Sequence, residues 1–323
     1  MAFITYLDFV DLWHKLRERG TQYAAKKLFS SAEGRVKSTW DEDDLPSSNW
    51  WQVDQVRARW NKLITGNEQL SYPDYVVQKY TQSKSNLNLL SIGCGTGQRE
   101  LEFAKHECFS RIEAIDIAPK AIADAQKTAA ELGIINCNFE VRDVYQTHWN
   151  THSFDVVLFH SSLHHFKDID NLLNRVKQVL KPGGLLIINE YVGASRFQFS
   201  TQRKKVVREI YEKQVPMPFK TRKNTAVTKH NVYFPGYLRM VISDPSEAVE
   251  SAEIMPLLNK KFTLLEQKNY GGNVLTFILK DIAHHFNKPE ATAVLTKLFE
   301  LEDELMKHEQ QSDFVFAVYQ NQL

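Results

Sequence analysis

Three alternating glycines, Gly93, Gly95 and Gly97, end the short apolar run that begins at Leu87. An apolar run of this length bounded by glycines predicts a buried parallel strand, and residues 98–105 have a helical pattern. Because the glycines carry no side chains, the backbone of the turn can approach a ligand closely. The following helix points free N–H groups and the positive end of its dipole at the same place. An anionic group on a nucleotide-like ligand would fit there.

A carboxylate stands at the spacing of a ribose contact. Asp116 ends a second strand-like run, residues 111–116, and lies 21 residues beyond Gly95. Dinucleotide-binding folds place an acid about 20 residues after the glycine loop, where it accepts hydrogen bonds from ribose hydroxyls. The loop reads G-x-G-x-G, however, and Gln98 stands where the dinucleotide fingerprint needs its last glycine. The pattern therefore predicts an adenosine ligand and disfavours a nicotinamide cofactor.

Histidines are dense around the end of the predicted fourth strand, residues 154–159. They are His148, His152, His160, His164 and His165. Strand and loop geometry points these rings in different directions, and no neighbouring carboxylate or cysteine has zinc-ligand spacing, so we expect no metal site. The unperturbed pKa of histidine is about 6.5, and His164 or His165 could therefore act as a general base at neutral pH. The alternative is that both are loop residues bonded to the backbone.

Glu190 and Tyr191 follow the predicted fifth strand, residues 185–189. Open parallel sheets carry their chemistry at the carboxyl ends of the strands, so we expect both side chains to face the same crevice as residues 160–165. A carboxylate there could orient a substrate amine or hydroxyl, or it could pair with Arg196. The candidate catalytic residues are therefore His165, His164, Glu190 and Tyr191.

In order and spacing, these motifs resemble the class I S-adenosylmethionine-dependent methyltransferases, of the small-molecule type with a methyltransferase type 11/12-like core. The resemblance rests on SIGCGTG from Ser91, AIDIAP with Asp116, VRD ending in Asp143, FDVVLFHSSLHHF from Phe154, and VLKPGG before the strand at Leu185. It covers residues 87–190 well and the C-terminal end more loosely. The family usually has an acid at the first position of its glycine motif. Ser91 stands there instead, and its hydroxyl brings no charge to the cofactor's ammonium.

The resemblance implies S-adenosyl-L-methionine as cofactor and a set of residues that hold it. These residues are Ser91, Gly93, Cys94, Gly95, Thr96, Gly97, Asp116, Ile117, Asp143, Val144, His160 and Ser161. Asp143 would accept the exocyclic amine of adenine and Val144 would lie against the ring; alternatively, Asp143 caps the next turn. The resemblance also implies that aromatic residues before the first strand close over the cofactor, with an aromatic packing seam as the alternative. The candidates are Trp60, Tyr72, Tyr75 and Tyr80.

The composition is that of a globular protein able to bury a core. The 323-residue chain is 43% hydrophobic and 24% charged, with 40 basic and 39 acidic side chains and a formal charge of +1. This balance argues against a general nucleic-acid or membrane-surface binder, and no run of about 18 apolar residues predicts a membrane span. Cys94, Cys108 and Cys137 lack C-x-x-C spacing and no secretion signal is visible, so we expect reduced thiols and a cytoplasmic protein.

The alternation of elements predicts an α/β fold with a Rossmann-like, seven-stranded, mostly parallel sheet. The resemblance makes residues 314–319 the last, antiparallel strand, between strands five and six. The predicted divisions are an N-terminal helical cap or lid (1–85), the cofactor-binding core (86–190), an inserted substrate lid after strand five (191–245) and a C-terminal part that completes the sheet (246–323).

Helices outside the core are predicted from apolar spacing. One begins the chain and ends near Gly20, and the acidic run from Asp41 to Asp44 after it is expected to be a linker. Two others are predicted over residues 246–258 and 274–286, the latter from apolar residues that recur every four positions.

The insertion is rich in lysine and arginine, with phenylalanine and tyrosine between them. It leaves the sheet beside Glu190, so it would roof the substrate side of the crevice and favour a substrate that carries a carboxylate or phosphate. A solvated helix face is the alternative for residues 203–208. The expected function is methyl transfer from S-adenosyl-L-methionine to an oxygen or nitrogen of a small, anionic metabolite or natural-product intermediate, with neither nucleic acid nor membrane as partner. The oligomeric state is left open, as are two alternatives: a non-catalytic cofactor-binding module of the same fold and an NAD(P)-dependent oxidoreductase.

Overall fold

Seven strands form a single mixed sheet in the order β3-β2-β1-β4-β5-β7-β6. The strands are β1 (Leu87–Ile92), β2 (Phe109–Asp116), β3 (Cys137–Val141), β4 (Phe154–His160), β5 (Leu180–Tyr191), β6 (Thr263–Gly271) and β7 (Phe314–Gln320). β7 pairs antiparallel with β5 and β6, and the other neighbouring pairs are parallel. The predicted fold class and the place of the antiparallel strand are confirmed.

The structure is a computed structural model that describes residues 48–322, with the backbone alone at residue 243. The helix predicted to end near Gly20 and the acidic run from Asp41 to Asp44 lie outside the described residues.

Helices cover both faces of the sheet. They are α1 (Asp54–Thr65), α2 (Tyr72–Val76), α3 (Gln98–Ala104), α4 (Pro119–Glu131), α5 (Ile169–Val179), α6 (Thr201–Gln214), α7 (Tyr237–Ser243), α8 (Ile254–Lys261), α9 (Leu275–Leu279) and α10 (Thr292–Glu309). Between residues 48 and 322, none of them combines the length and the apolar character needed to cross a membrane.

The local sequence explains the elements that frame the cavity. In α5 the apolar residues recur every three or four positions, and this stripe is buried against the sheet. Pro119 opens α4 at a position where its missing N–H costs nothing, and Gly133 follows the helix with a φ of +66°. α3 begins directly after Gly97, so the glycine loop lies between the end of β1 and a helix N-terminus.

Two predicted helices are shorter than the apolar spacing suggested. The helix predicted over 246–258 begins only at Ile254, because the Asp244 carboxylate accepts bonds from the amide and hydroxyl of Ser246 and holds a turn there. The helix predicted over 274–286 ends at Leu279. The ammonium of Lys229 takes carbonyl oxygens on either side of that point, those of Ile278 and Lys280, at 2.9 and 2.7 Å.

Three apolar cores stabilise the molecule. Two lie on opposite faces of the sheet, and the third joins the segment around Trp50, the residues after β5 and the C-terminal helices. This third core holds the inserted residues firmly beside the carboxyl ends of β4 and β5.

Candidate active site

A cavity of 850 Å³ lies at the carboxyl ends of β1, β2 and β4. Its lining includes most of the residues that the sequence predicted as cofactor ligands, and one of the four predicted catalytic residues. The cofactor residues that line it are Gly93, Cys94, Gly95, Thr96, Asp116, Ile117, Asp143, Val144, His160 and Ser161, and the catalytic residue is His165. Open α/β sheets bind their ligands at this edge.

The three loop glycines have different reasons to be glycine. All have positive φ, +74° at Gly93, +54° at Gly95 and +73° at Gly97. A Cβ at Gly93 would lie 2.7 Å from the Cβ of Ser162, and one at Gly97 would collide with the ring of Phe139. A Cβ at Gly95 would meet nothing within 4 Å, so only there does the missing side chain leave open space beside the cavity.

Ser91 and Gly97 do not line the cavity, although the sequence grouped them with the cofactor ligands. The Ser91 side chain is buried beneath the loop and its hydroxyl donates to Oε1 of Glu100 at 2.6 Å. Glu100, on α3, does line the cavity, and burial raises the pKa of its carboxyl to about 7. An acidic group therefore lies next to the position where Ser91 lacks one.

Asp116 joins the end of β2 to the glycine loop. Its Oδ2 accepts a hydrogen bond from the Gly95 amide at 2.8 Å, and its Oδ1 accepts one from the Ala118 amide at 2.9 Å. A carboxylate has about four lone-pair positions, so two remain for ribose hydroxyls. Asp116 thus fixes the loop and keeps acceptor capacity at the cavity wall.

Asp143 and Val144 follow β3 at the same wall. Asp143 Oδ1 accepts from the Tyr145 amide at 2.9 Å, which is the turn-capping contact that the sequence left as an alternative. Its carboxylate also lines the cavity, so the cap does not exclude a ligand contact. Val144 is buried in the core and presents an apolar surface at the lining.

Glu190 is fully buried beneath the loop that follows β4. One carboxylate oxygen accepts the amides of Ser162 and Leu163 at 2.5 and 2.6 Å, and the other lies 2.7 Å from Nδ1 of His164. The expectation that Glu190 faces the crevice is therefore wrong, because its carboxylate is used in holding this loop. It does not pair with Arg196, which instead donates to the carbonyls of Pro245 and Glu247.

His164 and His165 lie side by side, with ring centroids 4.1 Å apart, but only His165 lines the cavity. Although burial opposes its charge, the carboxylates of Glu190 and Glu247 hold the pKa of His164 above its usual value. Burial and the neighbouring His164 charge lower the pKa of His165. The Ser246 hydroxyl lies 3.3 Å from His165 Nδ1. The pair thus holds a charged imidazole behind a neutral one.

Tyr191 lies behind this pair and outside the cavity lining. Its hydroxyl donates to the Ala194 carbonyl at 2.9 Å, and its ring packs against Phe197 and Phe314 in the third core. The expectation that its side chain faces the crevice is wrong, because the chain turns away from the sheet directly after β5.

The ligand atoms of His164, His165 and Glu247 lie within 4.8 Å of one another, a spacing that a metal ion could bridge. The sequence predicted diverging rings and no carboxylate beside them. The loop after β4 instead keeps both rings together, and Glu247 approaches from a segment 82 residues later than His165.

Of the predicted aromatic lid, only Tyr72 reaches a cavity residue. Its ring stacks on that of His160, with centroids 5.5 Å apart. The hydroxyls of Tyr75 and Tyr80 both donate to Glu266 on β6, and Trp60 packs against Trp50 and Tyr270. These three form the packing seam that the sequence left as the alternative.

The basic insertion does not roof the cavity with free charges. Arg203 is buried and bonded to Asp313 and Glu309, and Lys229 is buried against backbone carbonyls. No side chain that the structure describes within 191–245 lines the cavity. The cation that does so at the His165 end is Lys167, which the sequence did not single out.

Sequence reasoning also missed several lining residues. They are Arg99, Glu100, Lys167 and Ser246. One signal could have found Glu100: a hydroxyl at the usual acid position invites a search for a second acid one helical turn into α3. Nothing in the sequence marks Ser246, which lies 81 residues beyond His165.

Comparisons with known proteins agree with this site. A family model described as a methyltransferase domain matches residues 83–261, more than half of the chain. The malonyl-[acyl-carrier protein] O-methyltransferase of Acetivibrio thermocellus is 30% identical over 128 residues, 38% of this chain and 44% of that protein. The 27-O-demethylrifamycin SV methyltransferase of Amycolatopsis mediterranei is 30% identical over 105 residues, 32% of this chain and 38% of that protein.

The chain therefore spans less than half the length of either relative. Among solved structures, phosphoethanolamine N-methyltransferase 2 of Haemonchus contortus, in complex with S-adenosyl-L-methionine, is 15% identical and superposes with a TM-score of 0.49. The match covers 91% of this chain and 58% of that one. On its family match and its sheet order, the chain belongs to the methyltransferase-domain family and is a class I S-adenosylmethionine-dependent methyltransferase in fold.

Proposed function

We propose that this protein transfers a methyl group from S-adenosyl-L-methionine to an oxygen or nitrogen of a small, anionic metabolite or natural-product intermediate. The observation that carries the proposal is a single cavity lined both by the glycine loop with Asp116 and by His165 with Lys167. One part of that lining suits a nucleoside, and the other suits an acceptor that carries a proton and a negative charge.

The cavity fits the cofactor on two counts. The open space at Gly95 lets the backbone approach a ligand, and 850 Å³ falls within the range of about 300–1,000 Å³ typical of small-molecule sites. Gly95, Asp116 and Asp143 would hold the adenosine part. When bound, the cofactor supplies an electrophilic methyl carbon, so the protein must add orientation and, for a hydroxyl acceptor, a base.

His165 is the proposed base. Its lowered pKa leaves the ring neutral at pH 7, so it can accept the proton of an acceptor hydroxyl. His164 and Glu190 act through it as positioning residues, because Glu190 holds the loop and His164 packs against the His165 ring. An amine that is already neutral would need no base.

We further propose that the reaction needs no metal. His164 lies between two carboxylates, with Nδ1 2.7 Å from Glu190 and Nε2 3.7 Å from Glu247. When His164 is protonated, both ring nitrogens carry protons and neither has a lone pair for a metal ion. The imidazolium thus supplies the positive charge between these acids.

The division of the chain follows from the same site. We propose that residues 86–190 bind the cofactor and that residues 1–85 and 191–245 flank it as lids. The insertion acts on the acceptor side through Arg196, which holds the segment that carries Ser246 and Glu247.

Calorimetric titration with S-adenosylmethionine, S-adenosylhomocysteine and NAD tests the cofactor, and methyl-labelled S-adenosylmethionine incubated with cell extract tests turnover. We expect binding of the first two ligands and a labelled small-molecule product. Binding of NAD alone would support an oxidoreductase. Binding of S-adenosylmethionine with no labelled product from any acceptor would support a non-catalytic module.

A further inference from the structure

Buried polar atoms without hydrogen-bond partners are concentrated beside the cavity. Within residues 48–322 there are eight such side-chain atoms, and three of them are Tyr72 Oη, Arg99 Nε and His160 Nδ1. Native proteins rarely leave buried donors unpaired, and a cluster of them suggests a partner that binds from outside the chain.

The three side chains come from separate elements and meet at one corner. The Tyr72 ring on α2 stacks on the His160 ring at the end of β4, with 24° between the planes. The guanidinium carbon of Arg99, on α3, lies 5.9 Å from the centroid of the Tyr72 ring. Arg99 and His160 line the cavity, and Tyr72 is 5% exposed.

The chemistry of this corner is that of an anion site. A phenol hydroxyl and a guanidinium Nε–H both donate, and the guanidinium carries a positive charge. Arg99 Nη1 is used by Glu102 at 2.5 Å, which fixes the side chain but leaves Nε–H without a partner. Burial lowers the pKa of His160 to about 3, so its ring is neutral at pH 7 and can donate from one nitrogen.

We propose that Arg99, Tyr72 and His160 form the subsite that binds the α-carboxylate of the methionyl end of S-adenosylmethionine. The inference rests on the proposed function, because it requires that cofactor. A carboxylate has two oxygens for several convergent donors, and arginine is suited to it in charge and geometry. The subsite lines the same cavity as Asp116, so one ligand with an adenosine at one end and a carboxylate at the other can occupy both.

The test compares S-adenosylmethionine with its decarboxylated form, which keeps the adenosine, sulfonium and ammonium groups. Both are titrated calorimetrically into the wild type, Tyr72→Phe and the matched control Tyr80→Phe, whose hydroxyl donates to Glu266. We expect the wild type to bind the carboxylate form more tightly. Tyr72→Phe should lose about tenfold or more in affinity for that form alone. Tyr80→Phe should bind both ligands like the wild type.

A stability measurement separates ligand binding from a structural role. The Tyr72 hydroxyl has no partner in the protein, so Tyr72→Phe should unfold at the same temperature as the wild type or higher when no ligand is present. Arg99→Gln is a second variant, and because it removes the charge it should lose more affinity for the carboxylate form than Tyr72→Phe does.

The outcomes distinguish the inference from the proposed function. If the wild type binds neither ligand, the proposed function fails and the subsite fails with it. If the wild type binds both forms equally, or Tyr72→Phe and Arg99→Gln weaken both equally, the cofactor stands and the carboxylate subsite is overturned. A raised acceptor KM with unchanged cofactor affinity would also overturn it, by assigning the corner to the acceptor.

Discussion

Nδ1 of His164 lies 2.7 Å from Oε2 of Glu190, and this contact organises the loop at the end of β4. The same carboxylate receives the amides of Ser162 and Leu163, so Glu190 fixes the backbone that carries both histidines. His165 is left as the member of the pair that faces the cavity. The roles of base and support are thereby divided between adjacent residues.

Replacement of His165 should slow methyl transfer to a hydroxyl acceptor. We expect His165→Ala to lower the single-turnover rate by about 10²–10⁴-fold at saturating cofactor, the usual contribution of a general base. Tyr191→Phe is the control, because its hydroxyl is bonded to Ala194 outside the cavity, and it should retain the wild-type rate. A wild-type rate for His165→Ala on a hydroxyl acceptor would remove His165 from the chemistry.

The pH dependence should report the neighbouring charge. The base must be neutral, and burial together with His164 lowers its pKa, so the rate should fall with acid only below the usual titration range of histidine. His164→Gln removes the positive charge beside His165. Its pKa should rise and the acid limb of the pH–rate profile should move to higher pH. An unchanged limb, with circular dichroism like that of the wild type, would show that His165 is not the titrating group.

The core of this site could be predicted because its determinants are local in sequence. Gly95 and Asp116 lie at the ends of neighbouring strands, and strand and helix lengths between them set the spacing that brings the Gly95 amide to the Asp116 carboxylate. The seven-stranded order follows from the same alternation of elements and the family resemblance. Short-range periodicity therefore predicted the sheet and the nucleoside part of the cavity.

The acceptor side could not be predicted in the same way. Glu247 meets the histidines through a turn at Asp244 and through Arg196, contacts between segments far apart in the chain. Period-two alternation placed Glu190 at a strand tip but did not show that its carboxylate would be taken by loop amides. The charge of Arg203 was visible in the sequence, whereas its buried partner Asp313 was not.

Loss of the Asp116 carboxylate should weaken cofactor binding. Asp116→Ala removes an acceptor for ribose hydroxyls and the bond that holds the Gly95 amide, so we expect a loss of at least about 1.5–3 kcal/mol in binding free energy. Asp124→Ala, at an exposed position on α4, is the matched control and should bind like the wild type. Equal affinities in a calorimetric titration of the two variants would refute the assignment of Asp116.

Chelation should leave turnover unchanged. His164, His165 and Glu247 have metal-like spacing, but a protonated His164 between two acids already supplies the positive charge. We expect the same rate before and after dialysis against EDTA, and no recovery or gain on addition of Mg²⁺ or Zn²⁺. Loss of activity with EDTA that one metal restores would show that the cluster binds a required ion.

The most direct test of the account is cofactor binding by Gly95→Val, measured beside Gly133→Val. Both glycines have positive φ, +54° and +66°, and a Cβ at either meets nothing within 4 Å, so the two variants should suffer similar backbone strain. They differ in place, because Gly95 lines the cavity and Gly133 follows α4. Calorimetry with S-adenosylhomocysteine should show wild-type affinity for Gly133→Val and no binding for Gly95→Val, with circular dichroism preserved in both. Normal binding by folded Gly95→Val would mean that the cofactor does not occupy this cavity.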